Sequence, residues 1–290
     1  MTRWDGDFRA APCDTPGMDL ELSGRRALLI GAGRGLGGAA ALAMAREGAS
    51  VAVVARTQET VAERVLACRA AGAPTAVGVA ADATIAADLA RAIRESGAAL
   101  GGLDILVTLV GGSRPGGTEL EDSGWELALE RNLWPAIRAT RLALPLLEAS
   151  ARERGVEVPA SVDSPGSRQH SVVLHLASIW GREGGGLMSY NAAKAALISL
   201  AHEQARELAP RGVRVLSIAP GSALHAGGAW EGRLRGDPSG VAEFVRREIP
   251  FGRFGTAEEI GDVIAFLASP RASWIAGACV VVDGGQSRAF

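Results

Sequence analysis

Arg26-Ala27-Leu28-Leu29-Ile30-Gly31-Ala32-Gly33-Arg34-Gly35-Leu36-Gly37-Gly38 leads an apolar run into a turn of glycines, and an alanine-rich stretch then continues to Gly48. Strand, glycine turn and helix in that order place a pyrophosphate on a helix N-terminus. Glycine is needed because a Cβ would hold phosphate oxygens away from the backbone N–H groups. Two spacings overlap here. Gly33-x-Gly35-x-x-Gly38 is the general dinucleotide fingerprint, and Gly31-x-x-x-Gly35-x-Gly37 is a different one. A plain flexible turn has the same composition, so the weight of the signal lies in its position between strand and helix.

Outward from the turn, Ser50–Ala55 is a second apolar strand, whose end reads the adenosine ribose in a dinucleotide site. An NAD site places Asp or Glu there, about 20 residues after the glycines, to bind the 2′-hydroxyl. This chain has Ala55-Arg56-Thr57 instead. Arg56, with Arg34 inside the glycine turn, offers two guanidinium groups to a 2′-phosphate, so the reading is NADP(H). The alternative is a pair of solvated surface charges. Residues 75–80 form the next apolar strand, followed by Asp82, which either accepts from the adenine amino group or caps a helix beginning near Ala83. With the apolar run 103–110, four strand–helix alternations predict a parallel sheet covered on both faces.

Of the 30 lysines and arginines only Lys194 is lysine, and it falls four places after Tyr190, the one tyrosine, in Ser189-Tyr190-Asn191-Ala192-Ala193-Lys194. A chain that uses arginine for every other cation keeps a compact ammonium at this position. On a helix, i and i+4 share a face, so the ammonium reaches the phenol. A cation there favours phenolate and is expected to lower the tyrosine from its ordinary value of about 10, which makes it a general acid–base group near neutrality. The competing reading is an incidental pair on an amphipathic helix.

The 290 residues are 48% hydrophobic with a formal net charge of −2, enough for a large core and without the basic clusters of a nucleic-acid surface. No apolar run has membrane-spanning length, and residues 1–17 lack the apolar segment of a secretory signal. Cys13, Cys68 and Cys279 are odd in number and far apart, which fits a reducing cytoplasm. His170, His175, His202 and His225 show no metal-ligand spacing, so no metal is expected. Residues 1–21 read as a flexible arm before a domain spanning 22–290.

Over residues 22–286 the chain resembles the classical short-chain dehydrogenase/reductase family. The resemblance is carried by Gly31-x-x-x-Gly35-Leu36-Gly37, by Tyr190-x-x-x-Lys194, and by Ser178, twelve residues before Tyr190 in Leu176-Ala177-Ser178. Asn132 in Arg131-Asn132-Leu133, Pro220-Gly221, Phe266-Leu267-Ala268-Ser269 and Val282-Asp283-Gly284-Gly285 complete it. It implies a single-domain doubly wound Rossmann fold, a seven-stranded parallel sheet with helices on both faces. It further implies a catalytic set of Asn132, Ser178, Tyr190 and Lys194, with Gly31, Arg34, Gly35, Leu36, Arg56, Thr57, Asp82, Val110, Gly111, Tyr190, Lys194, Pro220 and Gly221 around NADP(H). The implied reaction is reduction of a ketone, a 3-oxoacyl group being one candidate, to a secondary alcohol, with Tyr190 as the acid. An NAD-dependent alcohol dehydrogenase is the alternative, and a non-catalytic NADP-binding sensor a more distant one. The resemblance also implies a cytoplasmic homotetramer or homodimer pairing helices over 120–148 and 187–209, with residues 286–290 reaching an adjacent subunit. No nucleic-acid or membrane partner is expected.

Two departures stand out. Ile30 replaces the family's threonine and Thr108-Leu109-Val110-Gly111 replaces Asn-Asn-Ala-Gly, so a polar contact is exchanged for packing. His225 stands at a threonine position, to contact the cofactor, line the substrate pocket or lie exposed. Segment 149–170 reads as an inserted surface loop and 222–250 as a substrate lid, in which Leu224, Trp230 and Phe244 wall a pocket or simply pack.

Overall fold

The computed structural model describes residues 19–112, 117–156 and 166–289. The first half of the chain runs β1 (Arg26–Ile30), α1 (Gly35–Arg46), β2 (Ser50–Ala55), α2 (Gln58–Ala70), β3 (Ala76–Ala80), α3 (Ala86–Leu100) and β4 (Ile105–Thr108). The second half begins with α4 (Asp122–Asn132), α5 (Trp134–Glu153), β5 (Ser171–Leu176), α6 (Met188–Leu208) and β6 (Val213–Pro220). It ends with β7 (Ala223–Leu224), α7 (Ala229–Gly236), α8 (Pro238–Glu248), β8 (Gly255–Thr256), α9 (Ala257–Ala268) and β9 (Cys279–Val282).

Seven strands make one sheet in the order β3-β2-β1-β4-β5-β6-β9, every neighbouring pair parallel, as expected. Successive residues of a strand point to opposite faces. Ala27 and Leu29 of β1, with Val51 and Val53 of β2, therefore enter the core under α1 and α9. Leu28, Ile30, Ala52 and Val54 enter the core under α3, α5 and α6. Burial on both faces is why these strands read as unbroken apolar runs. The strand order reverses between β1 and β4, which opens a crevice at the carboxyl ends of those strands.

Helix α9 lies directly on α1: a Cβ built on Gly261 would stand 2.8 Å from the backbone carbon of Ala39, so the small residues of both helices permit the approach. The single helix expected over 120–148 is two. It breaks at Leu133, and Pro135, which has no N–H to give the preceding turn, opens α5. Helix α5 runs on to Glu153, so the segment expected as loop over 149–170 begins as the last turn of that helix. Its residues 157–165 lie outside the described residues. Of the arm expected over 1–21, residues 1–18 also lie outside them, but 19–21 are tied down. Arg271 donates to the Asp19 carbonyl at 2.7 Å, and Glu21 pairs with Arg168 and Arg271 at 3.1 Å each. No described helix is long and apolar enough to cross a membrane.

At the amino end of the sheet Asp104 has no exposed surface, and its carboxylate accepts from Arg26 N and Nε at 2.8 and 2.9 Å and from Arg154 Nε at 2.6 Å. Burial by itself would raise this carboxyl, but the hydrogen bonds and charges of Arg154 and Arg26 outweigh it and hold it below the ordinary carboxylate range. A depressed native carboxyl stabilises the fold above its unfolded value of about 3.9, and the contribution fades as pH falls through the lower native value. Asp104→Asn is expected to cost about 3–5 kcal/mol in denaturant unfolding at neutral pH, because Arg154 loses its carboxylate and Arg26 keeps only the exposed Glu153. The deficit relative to the parent should shrink below about pH 4.

Candidate active site

Three glycines of the turn are required by backbone rather than by side chains. Gly31 has φ +89 and a Cβ there would meet Val110 N at 3.0 Å; Gly35 has φ +55; a Cβ on Gly37 would stand 2.4 Å from the Gly31 carbonyl oxygen. Gly33 and Gly38 face side chains instead, of Thr60 and Arg64. Of the two overlapping spacings, Gly31-x-x-x-Gly35-x-Gly37 is the one the backbone uses. Helix α1 starts at Gly35 with no side-chain cap and no acidic residue in its first turn, so its N–H groups and positive dipole end face the crevice.

That crevice is a cleft of about 820 Å³. Gly31, Arg34, Gly35, Leu36, Arg56, Thr57, Asp82, Val110 and Gly111 all line it, as expected of a cofactor wall. Arg34 and Arg56 are exposed, and among the described residues neither has an ion-pair partner. Asp82 is not a helix cap: α3 starts later, at Ala86, and the Asp82 carboxylate instead accepts from Thr84 N at 2.9 Å and Thr84 Oγ1 at 2.7 Å. Those bonds hold its pKa below the ordinary range, helped by Arg56 and Arg131. Backbone at Gly31 and Gly37 that admits no Cβ, an uncapped helix N-terminus and unpaired guanidiniums fit a dinucleotide phosphate chain.

Tyr190 and Lys194, expected around the cofactor, are not themselves on this wall: Lys194 of α6 is buried behind Gly111 and Leu176, and its ammonium donates to the Leu176 carbonyl at 2.7 Å. A Cβ on Gly111 would lie 2.9 Å from Asn132 Oδ1 and 3.0 Å from Lys194 Nζ, so these two side chains meet over that glycine. Asn132, at the end of α4, is fixed by accepting from Gly112 N at 3.1 Å and donating to the Gly112 carbonyl at 2.9 Å. Lys194 Nζ stands 5.7 Å from the centre of the Tyr190 ring. Ser178 is buried at the end of β5. The catalytic four expected from the sequence thus converge from α4, the β5 end and α6.

The expected lowering of Tyr190 is absent. Burial raises the phenol, and the hydrogen bond to Ser178 opposes it. Lys194 has itself been brought down to about 7 by burial, and its proton is directed to a backbone carbonyl. The same low dielectric disfavours phenolate and ammonium alike. Beneath them, Thr108 Oγ1 meets His175 Nδ1 at 2.7 Å and His175 Nε2 meets Gln204 Oε1 at 3.0 Å. An amide oxygen only accepts, so Nε2 carries the proton and Nδ1 accepts from Thr108. Burial lowers His175 to about 4, which keeps it neutral. Thr108 therefore spends its hydroxyl on His175, while Ile30 opposite the old contact is wholly buried.

Pro220 and Gly221 are not on the cleft wall. Pro220 pairs with Val282, and a Cβ on Gly221 would meet Asp283 and Gln286; the wall on this side is His225, Ala226 and Gly227. The His225 ring lies over the turn, 2.7 Å from where a Gly35 Cβ would be. In the segment expected as a lid over 222–250, Trp230 packs on Phe244, and beyond that segment on Phe254, with ring centres 4.5 and 4.9 Å apart. Residues 286–289 fold back on their own chain: Arg288 N and Ala289 N both donate to Glu183 Oε2 at 2.8 Å, and Gln286 Oε1 accepts from Ser222 N at 2.7 Å. Among the described residues no group of three His, Cys, Asp or Glu could hold a metal. Sequence reading missed Arg131, Thr84 and Leu127 of the cleft wall. No residue type or spacing marks them; only the fold, in which Arg138 of α5 links Glu130 of α4 to the Thr84 carbonyl, brings them there.

The family described as enoyl-(acyl carrier protein) reductase matches residues 31–287. The short-chain reductase NovJ of Streptomyces niveus is 31% identical over 262 residues, 90% of this chain and 93% of that protein. A 7α-hydroxysteroid dehydrogenase solved with NADH and 7-oxo glycochenodeoxycholic acid superposes with a TM-score of 0.80 at 26% identity, covering 93% of this chain and 97% of that one. The RhlG/NADP complex of Pseudomonas aeruginosa superposes with a TM-score of 0.78 at 28% identity, covering 92% and 98%.

Lys194 tests the geometry without reference to activity. Its native value of about 7 lies below the unfolded value of about 10.4. Below about pH 7 the ammonium is charged in both states and its burial weakens the fold in full; as pH rises toward about 10 only the unfolded chain keeps the proton, and stability is regained. Lys194→Met is expected to raise the thermal unfolding midpoint at pH 6, with a margin over the parent that narrows as pH rises toward 10.

Proposed function

The chain belongs to the short-chain dehydrogenase/reductase family, and on that premise we propose that it is an NADP(H)-dependent oxidoreductase that reduces a ketone to a secondary alcohol. One observation carries this reading: a lone ammonium, buried and among the described residues without a carboxylate partner, stands 5.7 Å from the centre of the lone phenol's ring, against Gly111 and Leu176 of the cleft wall. Burying an unpaired lysine is costly for a fold and is the mark of a working site.

NADPH, when bound, supplies the hydride; the protein supplies position and proton. Gly31, Gly35 and the N-terminus of α1 would hold the pyrophosphate, and Arg34 with Arg56 the 2′-phosphate. Tyr190 holds its proton at neutral pH, since burial raises it, and that is the state a proton donor to a developing alkoxide needs. Ser178, whose influence on the phenol opposes that rise, would hold the substrate oxygen at the proton. Lys194 would hold the nicotinamide ribose hydroxyls, whose oxygens would restore the charge that burial weakens. Asn132, next to Lys194 over Gly111, would hold a water through which the proton is replaced. The substrate class is a small-molecule carbonyl, a 3-oxoacyl thioester among the candidates, in a cytoplasmic homotetramer or homodimer.

An NAD-dependent alcohol dehydrogenase is the rival, and the neighbour solved with NADH supports it as the RhlG/NADP complex supports NADP(H). The end of β2 favours NADP(H), because it offers Arg56 and Thr57 and no carboxylate for a 2′-hydroxyl. Two measurements follow. Tyr190→Phe should lower NADPH-dependent reduction of a ketone panel by about 10²–10⁴-fold while NADPH titration stays near the parent; a parent that binds NADPH and turns over no carbonyl would favour a sensor. Arg56→Ala should weaken NADPH binding roughly ten- to hundredfold and leave NADH binding nearly unchanged, as loss of a charged hydrogen bond requires.

A further inference from the structure

Resting on the dinucleotide reading, we propose that Arg131 is a binding residue for the adenine base, serving phosphorylated and unphosphorylated cofactors alike, unlike Arg34 and Arg56.

Arg131 is the penultimate residue of α4 and lines the cleft with Leu127 of the same helix and Thr84 beyond β3. It is half-buried, yet among the described residues its guanidinium has neither an ion-pair nor a hydrogen-bond partner. The adjacent charge is treated differently: Glu130 pairs with Arg138, which also donates to the Thr84 carbonyl at 2.9 Å. That bridge fastens the end of α4 to the segment after β3 and sets Arg131 in place. A fork stripped of part of its water without a partner is costly unless a ligand completes it.

The chemistry of the position selects the ligand. Arg131 lies at the C-terminal end of α4, where the helix dipole is negative and backbone carbonyls, not N–H donors, are free. That is a poor seat for a phosphate. The wall of the cleft carries apolar Ala81, Ala83 and Leu127 beside the polar Asp82, Thr84 and Glu130. Asp82 shares this end of the cleft; its Oδ1 is engaged by Thr84, and among the described residues its Oδ2 is free to accept. A flat aromatic ring with an amino group satisfies all three: apolar walls for its faces, a carboxylate oxygen for the amine and a guanidinium plane for the π-system.

The test is binding by titration calorimetry of NADPH, NADH and 5′-AMP to the parent, Arg131→Ala and Arg131→Lys, with unfolding midpoints recorded alongside. Arg131→Ala should weaken all three nucleotides by a common factor of roughly three- to thirtyfold, and Arg131→Lys should recover little of it, because an ammonium has no plane to stack. Weakening of NADPH alone, full recovery by lysine, or no change in any nucleotide would overturn the assignment. If Arg131→Ala does not fold, the lysine variant decides by the same criteria. A parent that binds none of the three would instead remove the dinucleotide reading on which the assignment rests.

Discussion

Lys194 is charged at a cost, and much of the domain is arranged to hold it where that cost is useful. Its ammonium has left water for one backbone carbonyl, at the end of β5, and burial has brought it down to about 7. The contact demands that β4, β5, α4 and α6 meet at one point, since Gly111, Leu176, Asn132 and Lys194 come from or follow each of them. A parallel sheet buried on both faces gives such precision, because each strand end is located by two neighbours and two helical layers. The chain of Thr108, His175 and Gln204 adds a fully hydrogen-bonded link between β4, β5 and α6 directly beneath the ammonium. A charged imidazole there would repel it, and burial keeps that histidine neutral.

The two ends of the sheet handle charge in opposite ways. At the amino end Asp104 is closed between Arg26 and Arg154, and Arg214 is satisfied by the carbonyls of Leu267, Ser269 and Ile275. At the carboxyl end Arg34, Arg56 and Arg131 stand, among the described residues, without ion-pair partners around an uncapped helix terminus. Paired charges secure the fold, whereas unpaired ones keep their hydrogen-bonding capacity for a ligand. The weakness tolerated at the second end is the usual companion of a binding site.

The segments around Ser178 and Tyr190 are tied together by contacts distant in the chain. Glu183, between Ser178 and Tyr190, receives two backbone N–H groups of the C-terminal tail, and the same tail accepts from Ser222 N, just before β7. Trp180 covers the glycines that follow Glu183; a Cβ on Gly185 would stand 2.4 Å from its ring. The described residues 286–289 are thus held by their own chain, at Glu183 and Ser222. Trp230 of α7, Phe244 of α8 and Phe254 beyond it use their rings on one another, with Arg233 4.8 Å above Trp230, so they pack α7 against α8 and the segment that follows.

Sequence alone determined whatever depends on neighbours along the chain. The apolar runs of β1 and β2, the turn that must be glycine, the absence of a carboxylate after β2, and a phenol and ammonium on one helical face are all local or periodic facts. Tertiary structure decided everything that depends on what stands opposite. It selected Gly31, Gly35 and Gly37 from two overlapping spacings, since Gly31 is pressed by Val110 from another strand. It moved Pro220 and Gly221 from the cleft to the β9 side, made Asp82 the anchor of a turn, and brought Arg131 to the wall. It also reversed the direction of Tyr190, because spacing shows that a cation is near but not how little water surrounds them both, and burial outweighs proximity when the cation is desolvated too.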